Sequence, residues 1–225
     1  MIRDDKRIRI IIGHYGSGKS EFAMNYVTKL RNEVEGKVAL SDLDVVNVYF
    51  RTREKKDLLN SLDILPIYSS IDAPTLDLPA ISPQIMSPIT DSSYNYVMDV
   101  GGDNVGARVV GRFHELIEKA DYDMFCVVNA NREYTQSVED VIGHIRAIEK
   151  SSGLKVTGLV NNTHLVRSTT IDDILKGQKL VEQVSRQYDI PVKYIVCLEE
   201  LVPQLPEDLE GEIFPIKLYM REAWM

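Results

Sequence analysis

The sequence predicts a doubly wound α/β fold: a mainly parallel sheet with helices on both faces. Three observations lead there. Short apolar runs of strand length recur along the chain, stretches of helical period separate them, and the first run leads straight into a glycine-rich loop that opens a helix. With 225 residues the chain is long enough for one large, well-buried domain and too short for two ordinary ones, so residues 1–225 are read as a single domain.

Residues 7–12 (RIRIII) are a β-branched run read as the first strand, and residues 19–31 show helical spacing through Phe22, Ala23, Tyr26, Val27 and Leu30. Residues 37–40 (KVAL) end at Ser41 and Asp42, and residues 94–98 (YNYVM) end at Asp99, Val100, Gly101 and Gly102, so two more strands each deliver an aspartate at the carboxyl tip. Residues 124–128, 156–160 and 192–196 are further strands, separated by helices predicted at 108–119, 137–150 and 171–187. The segment 63–91 breaks the pattern. Pro66, Pro74, Pro79, Pro83 and Pro88 exclude a long helix or a central strand there, and it reads as an irregular excursion over the surface. The chain shows no internal repeat, low-complexity tract or interdomain linker.

Composition narrows the function classes. Apolar residues at 44% and charged residues at 27% describe a globular chain. The 34 acidic against 26 basic residues give a net charge of −8, a surface that repels nucleic acid and anionic lipid, so neither is expected as a partner. Cys126 and Cys197 lie inside apolar runs (MFCVV and YIVCL) with no CxxC spacing, which reads as buried, reduced thiols. The amino terminus MIRDDKRIRI carries charges where a signal peptide needs an apolar core, and no run is long enough to span a bilayer; the cytoplasm is the expected compartment.

Gly13, His14, Tyr15, Gly16, Ser17, Gly18, Lys19 and Ser20 match G-x-x-x-x-G-K-[ST] in full, between a predicted strand and a predicted helix. In such a loop, glycines let successive backbone N–H groups face one anion, and the helix N-terminus adds its positive dipole end. Lys19 is expected at the β- and γ-phosphates of ATP as a catalytic charge, and the Ser20 hydroxyl in the octahedral shell of magnesium. Glu21, next in the helix, is counted with the nucleotide-binding residues. Magnesium keeps waters that carboxylates must hold, and Asp99 and Asp42 are the candidates at the strand tips. Asp99 precedes Gly101 and Gly102, where flexible backbone can respond to a γ-phosphate as a switch.

A phosphate loop on the first strand, D-x-D (Asp42-Leu43-Asp44) after the second and D-x-G-G (Asp99 to Gly102) after a later one resemble the MinD/ParA and CobQ/CobB group of nucleotide-binding proteins, within the SIMIBI class of P-loop ATPases. The resemblance implies that Asp42 supports the magnesium waters, that Asp44 orients or activates the attacking water, and that Asp99 completes the metal shell. It also implies a homodimer. One position departs: where MinD and ParA proteins carry a second lysine after the first glycine, this chain has His14, either a partly protonated substitute or an exposed loop side chain. Arg51, Arg53, Arg108 and Arg112 are other sources of transition-state charge.

Related proteins place an asparagine against the purine at the end of the strand 156–160, where Asn161 and Asn162 stand; the alternative is that they close a turn. A guanine reader needs a carboxylate nearby, and His164 or Leu165 occupies that place, so ATP is expected rather than GTP. By the same resemblance, residues 198–206 (LEELVPQLP) wall the base pocket. MinD proteins end in a membrane-binding helix. Residues 214–225 (FPIKLYMREAWM) have only Lys217 and Arg221 as cations, so packing against the domain or a partner is expected there and membrane binding is not. The function that follows is a slow, magnesium-dependent ATPase that hydrolyses ATP to ADP to switch a protein partner. The alternatives are a small-molecule kinase or ligase like dethiobiotin synthetase, for which no arginine-rich lid is evident, and a non-hydrolysing nucleotide-binding module.

Overall fold

The isoleucines of the first strand show how the layers form. Ile8, Ile10 and Ile12 pack into one apolar layer and Ile11 into the opposite one, as a central strand buried on both faces requires. The computed structural model describes residues 2–43, 55–68 and 83–220. In chain order the strands and helices are β1 (Ile8–Ile12), α1 (Lys19–Glu33), β2 (Lys37–Leu43), α2 (Lys56–Ser61), β3 (Ile64–Tyr68), α3 (Met86–Thr90), β4 (Tyr94–Val100), α4 (Asn104–Gly111), α5 (His114–Lys119), β5 (Tyr122–Val128), α6 (Val138–Ser152), β6 (Gly158–Asn161), α7 (Ile171–Tyr188), β7 (Val192–Leu198) and β8 (Glu212–Ile216). The eight strands form one sheet in the order β3-β2-β4-β1-β5-β6-β7-β8, and every pairing is parallel. Helix α1 covers one face with α2, and α4, α6 and α7 cover the other. The doubly wound α/β architecture is therefore the observed one, with β1 at its centre and the loops after β1, β4, β5 and β6 gathered at the carboxyl edge, where ligands of such sheets sit.

Several elements differ from the sequence reading. The helix predicted at 108–119 starts earlier, capped by the Asp103 carboxylate that accepts from Val105 N and Gly106 N at 3.0 and 2.9 Å, and it breaks into α4 and α5 around Arg112 and Phe113. The segment 63–91 is not wholly irregular. It begins with β3, an edge strand whose Pro66 stands opposite Leu40 of β2 and leaves its donor-less side to the open edge, and it ends in α3; residues 69–82 lie outside the described residues. Strand β8, with Pro215 inside it, is the opposite edge and was not foreseen.

The amino-terminal end of the sheet is fastened by a buried polar cluster. The Asp5 carboxylate accepts from the hydroxyls of Tyr26 (2.6 Å) and Tyr194 and lies 2.9 Å from the Lys193 ammonium. Arg9, 1% exposed, donates to the Asp5 and Arg7 carbonyls and to Asn95 Oδ1. Beside it, Phe22, Tyr26, Phe125, Tyr194 and Phe214 form an aromatic cluster that seats β8 on α1. Cys126 and Cys197 are free and buried, and burial pushes their thiols up to about 12 and about 11. No described helix is long and apolar enough to cross a membrane.

Candidate nucleotide-binding site

The loop between β1 and α1 turns on a bond from Ser17 N to the His14 carbonyl at 3.1 Å and enters the helix through Gly18. Gly18 has φ 83°, a left-handed conformation, and a Cβ there would lie 2.4 Å from Asn162 Nδ2; only glycine meets both demands. Asn162 in turn donates to the Ser17 carbonyl at 2.7 Å, so the tip of β6 braces the loop from beneath. Arg132 braces it from the side. Its Nε donates to the Gly16 carbonyl at 3.1 Å and its guanidinium lies against Gly16. The loops that carry these braces are knitted together: Asn129 Oδ1 accepts from Asn131 N and His164 N, Thr163 Oγ1 accepts from Ala130 N, and Thr135 Oγ1 donates to the Asn129 carbonyl at 2.6 Å.

A cavity of about 330 Å³ opens beside this loop. Its lining combines Gly16, Gly18, Lys19, Ser20, Arg132 and His164 with the apolar Val166, Val196, Leu198, Ile216, Leu218 and Met220. Lys19 is only 6% exposed. The tips of β2 and β4 run in register, Asp42 opposite Asp99, and Asp99 also stands beside Ile11 of β1, two residues before Gly13. Two buried carboxylates are thus placed side by side at the root of the loop. Gly102 closes the same corner: a Cβ there would meet the Gly13 carbonyl at 2.6 Å and Tyr15 N at 3.0 Å, so the D-x-G-G backbone touches the phosphate loop directly.

No protein-family model matches the chain, and no curated protein matches it. Solved structures do. The cell division protein FtsY from Thermotoga maritima aligns with TM-score 0.56 and 16% identity over 83% of this chain and 60% of its own. The signal recognition particle receptor FtsY from Elizabethkingia anophelis, in complex with GDP, aligns with TM-score 0.49 and 14% identity over 84% and 56%. The 54 kDa signal recognition particle protein from Aeropyrum pernix K1, also in complex with GDP, gives 0.47 and 14% over 80% and 40%. This chain spans about 60% of the length of the Thermotoga protein, and at such identities the likeness is one of fold. The fold is that of a P-loop NTPase. These neighbours carry nothing specific to MinD, ParA or CobQ.

The P-loop residues named from sequence divide by position. Tyr15, Gly16, Gly18, Lys19, Ser20, Glu21 and Asn162 line the cavity. Asn161 does not. Its amide donates to the Ile174 carbonyl at 2.9 Å and to Gln178, and its Oδ1 accepts from Thr163 N, so it ties β6 to α7, where Gly177 leaves room for it. As a cofactor-binding residue it is corrected in favour of its neighbour: successive strand residues face opposite sides of the sheet. Asp44, Arg51 and Arg53 lie outside the described residues. Within residues 198–206 only Leu198 reaches the cavity. The sequence reading missed Arg132, Val166, Thr169, Ile216, Leu218 and Met220, none of which carries a local motif.

The His14 ring packs on Tyr134 at 5.1 Å and on His144 of α6 at 5.6 Å between centroids. His144 Nε2 is buried without a hydrogen-bond partner among the described residues. Burial, reinforced by the charges of His14 and Lys19, pulls His144 from 6.5 down to about 4. The unfolded chain therefore takes up a proton near pH 6.5 that the folded protein refuses until about pH 4. The stability held by the neutral ring is complete above pH 6.5 and declines by about 3 kcal/mol as the medium is acidified to pH 4. In urea melts between pH 7 and 4, His144→Phe is expected to flatten that part of the slope; an unchanged slope refutes the assignment.

Proposed function

We propose that the chain binds ATP with magnesium and works as a slow ATPase whose nucleotide state is read by a protein partner. The observation that carries this reading is the lining of the cavity, which joins the phosphate-loop residues Gly16, Gly18, Lys19 and Ser20 to apolar side chains such as Val196, Leu198 and Leu218. Magnesium fits the donor set, because Ser20, Asp42 and Asp99 offer only hard oxygens and two adjacent carboxylates are eased by a divalent charge. Among the described residues no group of three His, Cys, Asp or Glu side chains stands together, which suits an ion that completes its shell with water and phosphate. Bound there, magnesium would neutralise the phosphates. Lys19 would hold the β- and γ-oxygens, and Asp44 orients or activates the water in this reading, as the MinD/ParA resemblance implies.

A purine draws support from Asn162: its Nδ2 is committed to the Ser17 carbonyl, which leaves an acceptor oxygen on a cavity-lining amide, suited to the exocyclic amino group that adenine and guanine both carry. The switch draws support from Gly102, since the D-x-G-G backbone cannot move without changing its contact with the loop. With the His14 ring turned toward α6, the role of a second lysine reaching a neighbouring subunit is not carried over. A second copy of the chain remains one partner of this reading, facing the exposed Tyr15 and Tyr134.

Arg132 favours a second reading. It places a guanidinium at the cavity rim, where a small-molecule kinase needs one. Calorimetric titration with Mg-ATP and Mg-GTP, followed by single-turnover hydrolysis, separates the possibilities. Micromolar ATP affinity, weaker GTP affinity and acceptor-independent slow hydrolysis are expected. Equal or tighter GTP binding overturns the adenine assignment, and turnover only with an added acceptor that becomes phosphorylated makes the chain a kinase.

A further inference from the structure

Beyond β8 the chain enters no further strand or helix among the described residues, yet residues 217–220 are held at five points on α1. Asn25, 4% exposed, pairs with the Lys217 backbone in both directions: Nδ2 donates to the Lys217 carbonyl at 2.8 Å, and Lys217 N donates to Oδ1 at 2.9 Å. One turn earlier, the Glu21 carboxylate accepts from Tyr219 N and from Met220 N, the latter at 3.1 Å to Oε2. Asn25 also donates to the Glu21 carbonyl at 2.9 Å, which locks the two fasteners to each other. The strap so held places Leu218 and Met220 in the lining of the cavity.

Regular strands hold their backbone by ladders of bonds along their length. This strap has two side chains instead, and both belong to the helix whose first turn supplies Lys19 and Ser20. A carboxylate one residue after Ser20 is badly placed to meet a polyphosphate, and here it is engaged by two backbone N–H groups. We infer that residues 217–220 form the base-recognising wall of the site and that Glu21 and Asn25 are positioning residues that hold it, so that base affinity and phosphate affinity have separate supports. The inference rests on the nucleotide-binding reading above and deepens it. It reassigns Glu21 from direct nucleotide contact to fastener, and it names a wall for a flat, largely apolar heterocycle, built from sequence about 200 residues beyond the phosphate loop.

Titration of the intact chain with Mg-ATP and with Mg-tripolyphosphate, which has the phosphates and no base, tests this. Glu21→Ala and Asn25→Ala are expected to weaken ATP by roughly tenfold or more while tripolyphosphate affinity stays within about twofold. Leu218→Ser leaves both fasteners in place, and the same selective loss is expected of it even if a fastener variant fails to fold. Equal weakening of both ligands, or undiminished ATP affinity in Glu21→Ala and Leu218→Ser, overturns the inference while the nucleotide-binding reading survives. Parent protein that binds neither ligand overturns both.

Discussion

Replacing Lys19 with alanine is expected to weaken Mg-ATP binding by two to three orders of magnitude, on the order of 3–4 kcal/mol, because the ammonium makes charge-assisted bonds to phosphate that nothing else in the cradle duplicates. Calorimetry measures it; a loss of less than about fivefold would be incompatible with the proposed site. The same variant carries a second expected result. Lys19 is 6% exposed, so the ligand-free protein bears the cost of desolvating its ammonium. Lys19→Ala is therefore expected to melt no lower than its parent without nucleotide and to lose the rise in melting temperature that ATP gives the parent. A variant that melts well below the parent would point to a structural role.

Asp5→Ala is expected to destabilise the fold by about 3–5 kcal/mol, enough to lower the midpoint of thermal unfolding by roughly 10 °C in a chain of this size. The reason lies in what the carboxylate leaves behind. Two buried hydroxyls, Tyr26 and Tyr194, lose their acceptor, and the partly exposed Lys193 ammonium loses its ion pair. Burial first, and then the charge of Asp5, hold the Tyr26 phenol well above its ordinary range, so the tyrosine cannot answer the loss by ionising. Asp5→Asn, which keeps one acceptor oxygen, should cost clearly less. In a double-mutant cycle with Lys193→Met the two changes should be strongly non-additive; additive effects would show that the pair is not coupled. The cluster lies at the end of the sheet opposite the phosphate loop, so ATP affinity at a temperature where both proteins are folded should be unchanged.

The phosphate loop was legible because it is local. Eight consecutive residues carry the glycines, the lysine and the hydroxyl, and the strand and helix on either side are written in the flanking periodicity. Asp42 and Asp99 were legible for a related reason: each ends an apolar run, and in a parallel sheet all carboxyl tips meet at one edge. The choice between Asn161 and Asn162 was not. Two adjacent strand residues face opposite sides, and a shift of one residue exchanges the one that ties α7 for the one that braces the loop. The edge strands were hidden by Pro66 and Pro215, which count against a strand wherever both neighbours must be paired and are tolerated where one side is open. Arg132 was hidden because a surface arginine has no local signature; its meaning comes from Gly16, more than a hundred residues away.

By itself, then, the sequence determined the layered architecture and the phosphate-loop motif, since both depend on periodicity and on backbone conformations that neighbouring residues impose on one another. Only the tertiary structure decided what surrounds the loop: which asparagine braces it, that His14 turns to His144, and that residues 217–220 join the lining of the cavity. Those outcomes depend on contacts between segments far apart in the chain, and such contacts follow from how sheet register and helix packing bring the loops together, which no local stretch of residues encodes.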